Sequence, residues 1–339
     1  MNNDRRIKLR AAWSKKGVKQ MVFRAFWPLV AAAILLATIA AHPRTASAQP
    51  YFQGPKTCQE CHGDEFKVWE GTKHFTSLKT AHKSKKVKPK PIVKAVGGNK
   101  RMKKNKTCTL CHYTMVQKDA GAKAKARAGP SCESCHGASS DWFDIHNDYG
   151  GPAVKRDEEA PEHKAARRQN ARDAGMVWSF MRYGIAKNCM SCHGLAREGI
   201  DGDVLSKMLA AGHPLNHEFE LVRYSQGSVR HRFYPPNVTV NAELSQAGLA
   251  EVFVQGQVAK LVSAVSALSG SGDSEYKAAQ EKRKADAETA LAAVKSVAEA
   301  AALVADPTEA NAQALVDAIA GKDLSGEVGG LLPNPSMYK

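Results

Sequence analysis

All 8 cysteines of this 339-residue chain belong to a single five-residue pattern that occurs four times. The copies are Cys58-Gln59-Glu60-Cys61-His62, Cys108-Thr109-Leu110-Cys111-His112, Cys132-Glu133-Ser134-Cys135-His136 and Cys189-Met190-Ser191-Cys192-His193. Two cysteines three residues apart lie on the same side of one helical turn. From there both sulfurs reach the two vinyl groups along one porphyrin edge, and the histidine that follows turns its imidazole toward the iron. C-x-x-C-H is the attachment signature of c-type haem. A zinc site would pair cysteines and histidines at finger-like spacing without requiring histidine after every second cysteine, and a redox dithiol would occur once. Four copies with no cysteine left over therefore predict four covalently attached haem c groups. Cys58, Cys61, Cys108, Cys111, Cys132, Cys135, Cys189 and Cys192 are the attachment sites, and His62, His112, His136 and His193 the proximal ligands.

Four porphyrins constrain the fold, because the macrocycles supply apolar surface that side chains provide elsewhere. The region from Gln49 to about Val240 holds all four motifs, is rich in Gly, Pro and Lys, and has few long periodic runs. Short helices around the attachment motifs, joined by irregular loops, are expected there. After about Asn241 the chain becomes Ala-rich and lacks Cys and His. Leu244, Leu249, Val252, Phe253, Val258, Leu261, Val262, Val265 and Leu268 recur at near-helical spacing, and Ser269-Gly270-Ser271-Gly272-Asp273 breaks that helix. A second helix is expected from about Glu275 to Val304. A third is expected after Asp306-Pro307-Thr308-Glu309, with Asp306 as cap, Pro307 at the first helical position, Glu309 as capping-box acid and Gly321 at the end. The fold class read from this pattern is mainly α, a loop-rich multihaem domain (49–240) followed by an α-helical C-terminal region (241–339) of three amphipathic helices. The latter reads as a docking or oligomerisation module or as a structural appendage.

Covalent haem attachment takes place outside the cytoplasm, and residues 1–48 read as an export signal. Ala25 to Ala41 is an apolar run interrupted only by Pro28 and Thr38; Lys15, Lys16, Lys19 and Arg24 precede it, and Ala46-Ser47-Ala48 supplies a small-x-small cleavage site. Cleavage is expected after Ala48, placing the protein in the periplasm. The 17-residue run is at the short limit for a membrane span, so an uncleaved anchor is the lesser reading. Met21 would begin a more ordinary signal. Arg5-Arg6 is set aside as a twin-arginine signal, because that route carries folded proteins and haem is added to an unfolded chain.

The formal net charge of +16 falls to +8 when residues 1–48 are left out. Each haem adds two propionates, so the holoprotein is only mildly positive when oxidised, and nucleic acid is not expected as a partner. The remaining basicity is concentrated. No acidic residue occurs from Gly71 to Lys118, a stretch with Lys83, Lys85, Lys86, Lys88, Lys90, Lys94, Lys100, Arg101, Lys103, Lys104 and Lys106. Lys88-Pro89-Lys90-Pro91 argues for an extended, solvated loop. The segment is read either as a loop without a partner or as a steering patch for an acidic redox protein docking near Lys83–Lys106, with peripheral contact to an anionic membrane as a further use.

Beyond the four proximal ligands, residues 49–339 contain His74, His82, His146, His163, His213, His217 and His231. These suffice to make every haem bis-histidine, but spacing alone does not pair them. Residues 58 to about 235 resemble the cytochrome c-554 family of periplasmic tetrahaem proteins. The resemblance rests on Gly129-Pro130-Ser131-Cys132-Glu133-Ser134-Cys135-His136-Gly137 followed by Trp142 and His146, and on Trp69 followed by His74. The Lys-rich segment and the C-terminal region are placed outside it. The resemblance implies closely stacked haem pairs. It also implies distal ligation of the fourth haem by His74, of the first by His146, and of the third by a histidine after the fourth motif, with His213 favoured over His217 and His231. Some members of that family leave the second haem open on its distal side, where His82, His163, His217, His231 and, more weakly, Met115 are the candidates here. The function read from all this is electron transfer between periplasmic redox partners, from a hydroxylamine-oxidising enzyme toward the quinone pool by similarity. Two alternatives are an enzyme reducing nitric oxide or a related small molecule at an open second haem, and a subunit of an extracellular cytochrome filament.

Overall fold

The computed structural model describes residues 49–216, 218–235 and 237–339. The export signal expected at 1–48 and the side chain of His217 lie outside the described residues. Pro50–Lys339 forms one compact unit. Among the described residues, no helix is long and apolar enough to cross a membrane.

The N-terminal part is a string of short helices: α1 (Pro55–Gln59), α2 (Gly63–Glu70), α3 (Lys73–Thr80), α4 (Pro89–Ala95) and α5 (Lys106–His112). A small antiparallel hairpin follows, β1 (Thr114–Val116) with β2 (Lys125–Ala128), pairing Met115 with Ala126 and Val116 with Lys125. Then come α6 (Cys132–His136), α7 (Phe143–His146), α8 (Pro161–Asp173), α9 (Arg182–His193), α10 (Gly202–Ala210) and α11 (Leu221–Ser225). The C-terminal helices are α12 (Gln246–Leu268), α13 (Ser274–Leu291), α14 (Ala298–Ala305), α15 (Glu309–Ala318) and α16 (Ser325–Val328). The chain is mainly helical, as its composition implies, and the hairpin between the second and third motifs is an addition to the expected plan.

Several local expectations are corrected. Lys88-Pro89-Lys90-Pro91 does not form an extended loop. Pro89 and Pro91 both fall in the first turn of α4, where a missing N–H costs nothing because that donor has no intrahelical acceptor. Ile92 and Val93 of α4 are buried and fix the lysine-rich segment to the body. The helix expected over 275–304 is two helices, interrupted at 292–297, where the Glu327 carboxylate accepts the backbone N–H groups of Lys295 (2.5 Å) and Ser296 (3.0 Å). The cap before α15 is Thr308, whose hydroxyl accepts the Asn311 amide at 3.3 Å; Asp306 and Pro307 lie outside the helix. Gly321, at φ 74°, follows the end of α15 as expected.

The C-terminal region is not an appendage of amphipathic helices. Helix α12 is buried on every face from Val252 to Leu261, as befits a central helix. Tyr183, Ala186 and Met190 of α9 share its core with Phe219, Leu221 and Val222 and with Leu291, Leu303 and Leu315 of the following helices. A second core joins Ile92 of α4 to Leu205, Met208 and Leu209 of α10, and to Ala267 and Tyr276. The change near residue 240 is thus a change in composition within one packed unit. Between residues 50 and 180, Ile92 alone enters either of these two clusters of buried apolar residues. Close packing there requires apolar surface from another source.

Candidate haem-attachment sites

Each motif ends a helix or a helical turn. Cys58 lies in α1, and the Cys58 carbonyl accepts the N–H groups of Cys61 (3.3 Å) and His62 (2.9 Å), so the turn continues to the first histidine. His112, His136 and His193 are the last residues of α5, α6 and α9. Local chemistry starts two of these helices: the Asn105 side chain accepts the Cys108 amide at 3.3 Å, and Ser131 and Ser134 form a reciprocal capping box around α6. The helical turn puts both thiols of a motif on one side with the imidazole beside them, as attachment requires.

No disulfide joins the eight cysteines. The motif helices adjoin one another: α1 packs on α6 and α6 on α9, where Asn188 Nδ2 donates to the Cys135 carbonyl at 2.8 Å. These contacts bring the first, third and fourth motifs together in that order. Glu133 reinforces the first of them. Its buried carboxylate accepts the backbone N–H groups of Gln53 (2.9 Å), Gly54 (2.7 Å) and Ser139 (3.0 Å) and the Ser139 hydroxyl (2.5 Å), so the residue after Cys132 anchors the segment that leads into α1.

The imidazoles form four facing pairs. Ring centres are 6.5 Å apart for His62–His146, 6.1 Å for His112–His213, 6.3 Å for His136–His231 and 6.1 Å for His74–His193. A metal ion midway between two imidazoles, with metal–nitrogen bonds of about 2.0–2.1 Å, sets ring centres roughly 6 Å apart. His74 faces the fourth motif and His146 the first, the positions implied by the resemblance. His213 does not face the third motif but His112 of the second, because it follows α10, which packs on α4 on the side of the second motif. The third motif's partner is His231, which sequence reasoning ranked lower. His163 instead pairs with the Glu159 carboxylate at 2.9 Å, His82 carries a buried Nδ1 without a partner among the described residues, and Met115 lies in β1.

In four of the eight rings Nδ1 is engaged by a backbone carbonyl, which leaves Nε2 free, whereas Asn216 Nδ2 donates to Nδ1 of His193 at 2.7 Å. The backbone carbonyls of Val177, Pro214 and Val229 accept from Nδ1 of His136 (2.8 Å), His213 (3.0 Å) and His231 (2.6 Å), and that of Phe143 from His146. A carbonyl on one ring nitrogen fixes the tautomer that leaves the other as a metal ligand. Burial pulls His112, His136 and His193 down to about 4, and lowers His74, His146 and His213. These rings are therefore neutral at physiological pH, the form that coordinates iron. His62 is shifted up by the Glu65 carboxylate, 3.6 Å from Nδ1. Phe219 stacks on His193 with ring centres 4.3 Å apart.

Sequence reasoning missed a clamp behind His146. Arg167 donates Nε and Nη2 to the two oxygens of Glu159, at 2.7 and 2.6 Å, and Nη1 to the His146 carbonyl at 2.6 Å. Arg167 pulls the Glu159 carboxyl down to about 2. No motif signals such a contact, which joins residues 21 apart through a fold built around a cofactor.

The residues fit haem c better than a bare metal ion. Among the described residues, no group of three or more His, Cys, Asp or Glu side chains converges as an ion site, whereas each attachment motif meets one further imidazole. Two buried donors next to these sites, the Tyr113 hydroxyl and the Trp142 indole N–H, have no partner among the described residues. Haem propionates are acceptors of the kind they require.

Comparison with known proteins agrees with this geometry. The family described as cytochrome c554 and c-prime matches residues 57–137. That match runs through the Lys-rich segment, which therefore lies inside the family region and not outside it. Cytochrome c-554 of Nitrosomonas europaea is 25% identical over 169 residues, which cover 49% of this chain and 66% of that protein. No solved structure matches the chain.

Proposed function

We propose that this chain, whose attachment region belongs to the cytochrome c-554 family, is an exported tetrahaem c-type cytochrome that carries electrons between periplasmic redox partners. The observation that carries this reading is the set of four facing imidazole pairs, one for each attachment motif. When bound, haem c supplies a reversible ferric–ferrous couple. The eight cysteines would hold the macrocycles by thioether bonds, and His62 with His146, His112 with His213, His136 with His231 and His193 with His74 would hold the iron atoms. Carbonyl acceptors keep His136, His146, His213 and His231 in one tautomer, which limits reorganisation when the charge changes. The adjoining helices of the first, third and fourth motifs favour a path through those sites in that order.

A carrier needs closed iron sites, and a small-molecule enzyme needs an open one. His213, with its ring centre 6.1 Å from that of His112, supports a closed second site over one open to nitric oxide. A filament subunit that borrows a distal histidine from its neighbour is likewise unnecessary, since every pair forms within one chain. The partner we propose is an acidic redox protein, such as a hydroxylamine-oxidising donor, passing electrons onward toward the quinone pool. The lysines of 83–106 are almost all exposed, and α4 holds them in place through Ile92 and Val93. A fixed patch steers more effectively than a flexible one, because less side-chain and loop ordering opposes docking.

Electron paramagnetic resonance and optical spectra of the air-oxidised holoprotein, with its haem-to-protein ratio, test the reading. Four haems, all low-spin, are expected. A ratio well below four would remove the central claim, and one high-spin haem would return the second site to the enzyme reading.

A further inference from the structure

Helix α13 crosses directly behind the fourth motif, and three residues on one of its faces reach the same short stretch of chain. The Tyr276 hydroxyl donates to the Leu195 carbonyl at 2.9 Å, and Gln280 Nε2 donates to the Gly194 carbonyl at 3.0 Å. The Arg283 guanidinium lies flat over Gly194, where a Cβ would stand 2.6 Å from three of its atoms. Gly194 follows the proximal His193, so this contact exists only because that residue has no side chain. Leu195 is held at φ 52°, in the left-handed region that non-glycine residues seldom adopt. The helix thus grips the end of α9 at the residues that set the direction of His193.

Arg283 is 1% exposed, and every partner it has is neutral. Its Nη1 donates to Gln280 Oε1 at 2.5 Å, and its Nη2 to Ser263 Oγ at 3.2 Å and to Met190 Sδ at 3.5 Å. No carboxylate pairs with it among the described residues; the nearby Asp286 is taken by Lys282 and by the buried Lys260. Burial pulls Arg283 down to about 10, which leaves it a cation at neutral pH. An uncompensated buried charge is destabilising. Met190 lies between the two cysteines of the fourth motif, so this cation sits against the attachment loop itself.

We infer that Arg283 is a fixed positive charge that raises the reduction potential of the haem attached at Cys189 and Cys192, which gives the C-terminal helices a role in setting redox order. The inference rests on the haem reading of the fourth motif. One-electron reduction takes ferric to ferrous iron, the electron coming from the redox partner or, in a titration, from the mediator, and lowers the charge of the site by one. A cation held nearby in a poorly screened interior favours the state with less positive charge. It therefore makes the fourth site a better electron acceptor than its ligands alone would make it.

The test is a potentiometric titration of the holoprotein followed optically and by electron paramagnetic resonance, for wild type, Arg283→Met, Arg283→Lys and Ser263→Asp. Arg283→Met should lower one of the midpoint potentials and leave the others in place, and Arg283→Lys should stay near wild type. Ser263→Asp keeps the arginine but gives it a carboxylate, and should lower the same potential; it serves if Arg283→Met does not accumulate. Equal lowering in the Met and Lys variants would mean that packing, not charge, is at work, and would overturn the inference. An unchanged set of potentials in Arg283→Met or Ser263→Asp, with all haems attached, would also overturn it. Mass analysis of the wild-type peptide carrying Cys189 and Cys192 separates the two levels: an unmodified peptide would sink the haem reading itself, whereas a haem-bearing peptide with unmoved potentials sinks only the role of Arg283.

Discussion

Glu133 offers a quantitative test of how the first and third motifs are held together. Its carboxylate receives four hydrogen bonds, three from backbone N–H groups and one from a hydroxyl. The Gly54 and Ser139 amides are buried at this contact, so Glu133→Ala leaves both without an acceptor. Each buried unpaired donor costs about 1–3 kcal/mol, giving roughly 2–6 kcal/mol for the pair. Against a total stability of about 5–15 kcal/mol this is a large loss. Glu133→Gln is the sharper variant. Oε1 accepts three of the four bonds and Oε2 accepts only Gly54 N–H. An amide oriented with its oxygen at the Oε1 position keeps three bonds and turns its NH2 toward the Gly54 donor, so about 1–3 kcal/mol is lost. Guanidinium unfolding of the oxidised holoprotein, followed by the Soret band, reads both values, with the slope checked for constancy. The reasoning fails if Glu133→Ala lies within about 0.5 kcal/mol of wild type, the range of ordinary surface substitutions.

Four further outcomes are expected. His213→Ala and His231→Ala should each convert one low-spin haem to high-spin, whereas His82→Ala and His163→Ala should leave the spectrum unchanged; resonance Raman spin-state markers check this. Because Arg167 depresses the Glu159 carboxyl to about 2, its stabilisation is fully present above the ordinary carboxylate range near 4.5 and is lost as pH falls from there toward 2; acid titrations of wild type and Arg167→Leu should diverge at neutral pH and converge below that window. Gly129→Ala should disturb His74, because a Cβ there would stand 2.0 Å from the His74 carbonyl oxygen, so the haem at the fourth motif should show altered ligand-field signals while the protein still binds haem elsewhere. Reversing Lys88, Lys90 and Lys94 to Glu should slow electron exchange with an acidic redox protein at low ionic strength, and the difference should vanish in high salt.

The sequence and the fold carry different parts of this account, and the histidines show where the division falls. A proximal ligand is local: the spacing within Cys189–His193 is itself the geometry of one helical turn, so its role is legible from five letters. A distal ligand is not local. His146 stands 84 residues beyond the imidazole it faces, and His231 95 beyond. Nothing in the chemistry of a histidine says which of four irons it will meet. The error over His213 follows from this. Gly212-His213-Pro214 has the look of a rigid turn that could present a ligand, and it does present one, but the target was decided by where α10 packs. That packing depends on Ile92, in a segment whose prolines and lysines read as a solvated loop. The prolines read as helix breakers, but their position in the first turn makes them helix starters, and once α4 is a helix with a buried face, α10 has a surface to rest on and His213 is carried to the second motif. The same coupling explains why Trp69 and Gly129 could be recognised but not interpreted. The Trp69 indole donates to the Pro130 carbonyl at 2.9 Å, and Gly129 admits the His74 carbonyl; together they fix the helix that bears His74 against the approach to the third motif. A residue pattern thus marked the places where distant ligands are aimed, while the aim itself is a property of packing.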